Sequence, residues 1–388
     1  MTQIAMEKNH FFLIGIFSLA ILGCGKDIDR TFGSLGPSQA NLAVEEDRFI
    51  QERTKKVDIL FVVDTSGSVR NEREAMANGI ESLLNELPPE EDFNIGVIPA
   101  HLGTLPGKLY QAGTEPFILK SSELSRAQIR ENLRTKMVSP PNNFDPLSDG
   151  GEAGFYSISQ GIKGDLLKEN QEKGIFRSDA ALTLVFISDE NDVCSRYLPN
   201  ITFLPDLSGR EVSAYSNFCV DGNGPLYTHE IVLNALLTLK EGLPLTTVAA
   251  IYTGENPIPP VNVAVEENEI GHGFKELVEL EGGFLFDLAD PEPDPDPSAP
   301  EANRVAQGMK KIGSLASQDI SQLRKVFSLS RGNVIADTIV ARVDGVIKPH
   351  TYDSSKNQVT VEDTGGLNSE IVITYQYRLN RALVETFF

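Results

Sequence analysis

Residues 58–68 read Asp58-Ile59-Leu60-Phe61-Val62-Val63-Asp64-Thr65-Ser66-Gly67-Ser68. After its opening acid, DILFVV is apolar without alternation, the pattern of a strand covered on both faces of a parallel sheet. It runs straight into short oxygen-bearing side chains. Residues 181–188, ALTLVFIS, repeat the buried-strand pattern and are followed by Asp189-Glu190.

Working outward, Ala75, Ile80, Leu83 and Leu84 recur at helical spacing and predict a helix over 70–86, stopped by Pro88-Pro89. Further strands are expected at 93–98, 246–252 and 283–288, and an edge strand or hairpin at 109–119. Further helices are expected at 125–136, 153–171, 228–239, 274–280 and 303–327. Residues 142–151 read as a loop rich in Pro, Asp, Ser and Gly. Residues 192–225 form a long insertion that holds Cys194 and Cys219. Strands alternating with helices predict an α/β fold, a doubly wound, mostly parallel sheet. Ligands of such folds bind at the carboxyl ends of the strands.

The flanks differ. Residues 334–343 alternate, Asp344-Gly345 is a hairpin turn signal, and strand candidates follow at 346–352, 358–362 and 371–377. These predict a small all-β module over 328–388. Residues 290–300, DPEPDPDPSAP, suit only an extended linker. Residues 25–54 are polar, with a short helical pattern at 42–53. The expected organisation is a leader at 1–23, a tether at 24–55, the α/β domain at 56–327 and the β module at 328–388.

The 388 residues carry 34 Lys and Arg against 55 Asp and Glu, a net charge of −21. That balance argues against nucleic acid, whose phosphates need clustered cations, and against a basic face on anionic lipid. Forty percent hydrophobic and 23% charged residues mark a globular chain, not a disordered one. Three cysteines exclude a disulfide-dense scaffold and a Cys-ligated zinc or iron–sulfur centre.

Residues 11–22, FFLIGIFSLAIL, form an apolar run of about 12 residues, where a bilayer span needs about 20. The run fits the apolar core of a secretory signal. It ends in Ile21-Leu22-Gly23-Cys24, which resembles the bacterial lipobox. The resemblance implies cleavage before Cys24 and acylation of that residue. Gly25, in place of Asp, follows the cysteine, which by the same resemblance implies the outer membrane of the cell envelope. Export puts Cys194 and Cys219 in an oxidising compartment, where two remaining thiols pair. The closed loop would restrict the unfolded chain by about 3–3.5 kcal/mol.

Asp64, Ser66 and Ser68 stand at alternate positions just past a buried strand, so one loop can turn all three toward a point. Asp189 ends the second buried strand on the same sheet edge. Hard oxygen ligands of this kind suit Mg²⁺, Mn²⁺ or Ca²⁺. Taken alone, an Asp/Ser/Gly cluster after a strand also reads as a turn or helix cap.

On these residues the chain resembles a von Willebrand factor type A domain over about residues 56–327. Asp64-Thr65-Ser66-Gly67-Ser68 matches the D-x-S-x-S motif of that family's metal-ion-dependent adhesion site. The resemblance implies that Ser66 and Ser68 ligate the metal, Mg²⁺ first among the three, and that Asp64 and Asp189 act through water. It implies a remaining position filled by an acidic side chain of a partner protein. The family's second loop supplies a Thr; here the segment reads Ser148-Asp149-Gly150-Gly151. Counting back six from Phe155 lands on Asp149, with Ser148 as the rival ligand.

Other chemistries find less support. A haloacid-dehalogenase-type phosphotransferase needs an acid where this chain has Ser66. His229-Glu230 begins like a zinc protease helix, but Leu233 stands where the second His belongs. Glu190, Asn191 and Asp192 could add acidic ligands to a second ion, although a solvated loop is the better reading. The sequence therefore predicts a lipid-anchored envelope protein, not an enzyme. It would bind a protein or envelope polymer through a metal-capped edge. A structural or assembly protein of the envelope with a vestigial site is the alternative.

Overall fold

The computed structural model describes residues 42–378, apart from 52–55, 104, 140–151, 196–197, 205–208, 241, 261–267, 290–303, 322 and 367. The leader with Cys24, the Pro-rich linker and the loop at 142–151 lie outside the described residues.

The chain opens with strand β1 (Leu42–Ile50). The α/β body follows as β2 (Lys56–Val63), α1 (Arg70–Asn78), α2 (Ile80–Glu86), β3 (Asp92–Pro99), β4 (Leu119–Lys120), α3 (Arg126–Val138), α4 (Gly154–Gly161), α5 (Gly164–Lys173) and β5 (Ala181–Ile187). The insertion contributes α6 (Arg210–Ala214), β6 (Val220–Asp221) and β7 (Gly224–Pro225). The body closes with α7 (His229–Lys240), β8 (Leu245–Ile251), α8 (Phe274–Glu281), β9 (Phe284–Asp287) and α9 (Arg304–Ser321). The last part is all β: β10 (Val326–Ser328), β11 (Val340–Val343), β12 (Val346–Ile347), β13 (His350–Asp353), β14 (Gln358–Val361) and β15 (Glu370–Arg378).

The main sheet runs β4-β3-β2-β5-β8-β9. All neighbours pair in parallel except β4, which is antiparallel to β3. The sheet thus grows outward in both directions from β2, the doubly wound arrangement, with its switch point between β2 and β5. Alternation along β2 supplies both cores. Val57, Ile59, Phe61 and Val63 face α1, α2, α3 and α9, whereas Leu60 and Val62 face α4, α7, α8 and the insertion. That double burial explains the unbroken apolar run.

Four expected elements are corrected. The helix expected at 303–327 ends at Ser321, and Val326–Ser328 is strand β10, paired with β14. Residues 70–86 form two helices, broken at Gly79, where a Cβ would lie 2.8 Å from Met309 Cγ on α9. Residues 153–171 likewise divide into α4 and α5. The edge strand expected at 109–119 shrinks to Leu119–Lys120, although Tyr110 N still donates to Val97 O at 2.8 Å.

The largest correction is at the start. The helical pattern at 42–53 and the outer part of the expected tether at 24–55 are instead strand β1, paired antiparallel with β15 from Leu42↔Arg378 to Ile50↔Glu370. β1 completes the sheet β1-β15-β11-β12, which packs on β10-β14-β13. Phe49 meets Phe327 at 5.0 Å between ring centroids, and Tyr375 Oη donates to Asp47 Oδ2 at 2.9 Å. The all-β module is therefore built from both sides of the α/β body, which is inserted between β1 and β10.

Candidate metal centre

The register pairs Val63 with Ile187, so β2 and β5 end at the same level. Asp64 N donates to Ile187 O at 2.9 Å, and Ser188 N donates to Ala250 O at 3.2 Å. The residues after both strands therefore emerge side by side at the switch point, where folds of this class bind ligands.

Asp64 shapes its own loop. Its Oδ1 accepts from Ser66 N at 2.7 Å and its Oδ2 from Ser188 Oγ at 3.0 Å. The hydroxyls of Ser66 and Ser68 lie 2.9 Å apart. Arg73, one turn into α1 and buried, donates from Nη1 to Asp64 O at 2.8 Å and Ser66 O at 3.0 Å. It clamps the loop backbone, and its charge stands near Asp64 and Asp189. Thr65 Oγ1 and His101 Nε2 are 2.7 Å apart, tying the loop to the segment after β3.

Asp189 is fully buried, and neither of its carboxylate oxygens accepts a hydrogen bond. Ser68 lies close enough to favour its ionised form without meeting hydrogen-bond geometry. Burial drives the Asp189 carboxyl well above the ordinary range, and the charge of Asp64 pushes the same way. Burial also raises Asp64, opposed by its bonds to Ser66 and the charge of Arg73. An orphaned buried carboxylate costs free energy unless a cation or donor meets it. The donor set, two acids and two hydroxyls at one point, is the hard-oxygen type that a divalent cation requires. The residues fit such an ion.

Of the residues expected from sequence, the structure brings Asp64, Ser66, Ser68 and Asp189 together. Ser148 and Asp149 lie outside the described residues. Cys194 and Cys219 are joined by a disulfide. Sequence reading missed Ser188 and Arg73. Ser188 was visible as the polar end of a buried strand, but an arginine nine residues after Asp64 carries no signal that it turns back onto the loop.

Glu190, Asn191 and Asp192 are a correction too. They are buried, at 5%, 0% and 0% exposure, where a solvated loop was expected. Asp192 caps α4, accepting from Phe155 N at 2.8 Å and Cys194 N at 2.9 Å, and burial pushes its carboxyl up to about 7.

No protein-family model and no curated protein matches the chain. Among solved structures, a von Willebrand factor type A protein from Catenulispora acidiphila aligns at 9% identity and a TM-score of 0.34, over 88% of this chain and 65% of its own. The pilus adhesin SpaC from Lactobacillus rhamnosus GG, in its open conformation, aligns at 13% identity and a TM-score of 0.34, over 88% of this chain and 42% of its own. A manganese-loaded TRAP protein from Plasmodium vivax aligns at 13% identity and a TM-score of 0.26, over 62% of this chain and 76% of its own. The chain thus spans less than two thirds of the first two. Likenesses this distant carry no argument, and the fold assignment rests on the sheet order and register above.

Proposed function

We propose that the chain is a von Willebrand A-type envelope protein that binds another protein through a divalent cation, Mg²⁺ or Mn²⁺, at the carboxyl edge of its main sheet. The observation that carries this reading is Asp189, fully buried beside Asp64 with both oxygens unmet by donors. Ser66 and Ser68 would ligate the ion directly, Asp64 and Asp189 through water, and Asp149 or Ser148 would complete the set. When bound, the ion supplies a Lewis-acidic position that a partner's carboxylate completes.

The chain's own residues prepare that position. Asp64 and Arg73 fix the Ser66–Ser68 turn from opposite sides, so the hydroxyls are placed before any ion arrives. The disulfide and the Asp192 cap hold the insertion against the same edge, where it would shape specificity. A lipid on Cys24 would hold the protein at the outer membrane of the envelope.

The test is capture from envelope extract by the full chain, with and without chelator, beside the variant Asp64→Ala with Ser66→Ala. Mg²⁺-dependent capture by wild type, lost in the variant, is the expected result. Capture that survives both chelator and the double substitution contradicts the reading.

A further inference from the structure

One more acid stands over the Asp64–Asp189 centre. Glu72 lies in the first turn of α1, next to Arg73. Arg73 is bonded to the backbone after β2, through Asp64 O and Ser66 O. Glu72 Oε1 instead accepts from Tyr252 Oη at 3.2 Å, and Tyr252 follows β8. In the sheet β5 lies between β2 and β8, and Ser188-Asp189 follows it. These two neighbouring side chains of α1 therefore straddle the strand that leads into Asp189. Glu72 Oε2 is buried and accepts no hydrogen bond among the described residues, and Arg73 Nε is buried and donates none. With both oxygens of Asp189, four buried polar atoms about this one strand end have no mate. Burial and Asp64 raise the Asp189 carboxyl most, and the charge of Glu72 adds to them.

We infer that Glu72 is a third acid of this centre, a positioning residue that holds the ion through its bound water and not as a direct ligand. The inference rests on the reading that the centre takes a divalent cation. Mg²⁺ gives up its water reluctantly, so a site built for it supplies acceptors to that water. Glu72 Oε2 is such an acceptor, while Tyr252 fixes the carboxylate through the other oxygen. Asp64 has less to offer, since its two oxygens already accept from Ser66 N and Ser188 Oγ. Ionised together, the three acids against Arg73 leave two net negative charges, which one divalent cation matches. Glu72 therefore adds charge to the site without occupying a position on the ion, and the place for a partner's oxygen stays open.

The experiment is calorimetric titration of the full chain, stripped with chelator, against MgCl₂ and MnCl₂, for wild type, Glu72→Gln and Glu72→Asp. Each protein is also melted in chelator. Glu72→Gln should weaken the ion by about tenfold or more, the usual loss for a residue that acts on a metal through another group. Glu72→Asp keeps the charge and should lose less. In chelator Glu72→Gln should melt no lower than wild type, because it removes a like charge near Asp189 and keeps an acceptor for Tyr252. A glutamine variant whose affinity stays within about twofold of wild type overturns the inference and leaves the proposed function standing. Equal losses in the two variants overturn it too, since shape and not charge would then matter. So does a glutamine variant that melts below wild type in chelator or does not fold, which would make Glu72 a structural residue. A wild type that binds neither ion overturns the proposed function, and this inference with it.

Discussion

Asp58 and Asp64 lie at opposite ends of one buried strand, and both are hidden from solvent. Their surroundings are opposite. At the amino-terminal edge, Arg177 Nε meets Asp58 Oδ1 at 2.7 Å and Arg177 N meets Oδ2 at 2.7 Å. Arg177 also reaches Asp92 at 2.7 Å, and Lys240 donates to Arg177 O at 2.8 Å. Burial raises Asp58, but both cations oppose it. At the carboxyl edge, the Arg73 hydrogen bonds go to backbone, and burial and like charge push Asp189 the same way. At the first edge protein cations neutralise Asp58. At the second, no described cation hydrogen-bonds the carboxylates of Asp64 or Asp189.

This contrast is open to attack from its stable side. Arg177→Ala strips the partner from buried Asp58 and should cost about 3–5 kcal/mol, since a buried charge left alone is the expensive case. Urea unfolding at neutral pH reads it; a loss below about 1 kcal/mol would show that the network holds nothing. Cys194→Ser with Cys219→Ser opens a loop spanning a separation of 25 residues. The loop-entropy model gives a loss of about 3.5 kcal/mol, with the Ser66–Ser68 turn unaffected. A much smaller loss would mean that Ala214, in the core, with Tyr215 and Phe218 packed against it, holds the insertion unaided.

Asp319 sharpens the comparison by pH. It lies on α9 at the amino-terminal edge, accepts from Thr246 Oγ1 at 3.1 Å and Thr183 Oγ1 at 3.4 Å, and burial pushes it up to about 7. Unfolded, it ionises near 4. Between those values the folded chain holds the extra proton. Its stabilisation is therefore full below about pH 4 and lost as pH rises through about 7. Asp319→Asn should remove that dependence and gain on the order of 2 kcal/mol over wild type at pH 8, with little difference at pH 4. Parallel stability curves for the two proteins from pH 4 to 8 would contradict the placement.

Much of this was legible because burial on both faces leaves a period-free apolar run. β2 and β5 carry it, and so do the acids that follow them. β1 was not legible as a strand. LAVEEDRFI fits helix and strand spacing alike, and its partner, β15, lies over 300 residues away, where no local pattern reaches. The helix breaks at Gly79 and around Gly164 depend on tertiary contact and backbone geometry. The burial of Glu190-Asn191-Asp192 was missed for a related reason. Consecutive polar residues look solvated until other residues fold over them, as Val193, Cys194, Ala214 and Cys219 of the insertion, packed in the core, and Glu211, bonded to Asn191, do here.

The central claim is that the carboxyl edge awaits a cation. It is tested most directly by thermal melting of the full chain in chelator and in millimolar Mg²⁺ or Mn²⁺, beside Asp64→Ala with Ser66→Ala. In chelator the variant should lie within about 1–2 kcal/mol of wild type, since neither residue belongs to the apolar core. With ion at a hundredfold excess over its dissociation constant, wild type should gain about 2.7 kcal/mol and the variant almost nothing. A wild type whose melting temperature ignores both ions would contradict the claim and leave a structural envelope protein with a vestigial site.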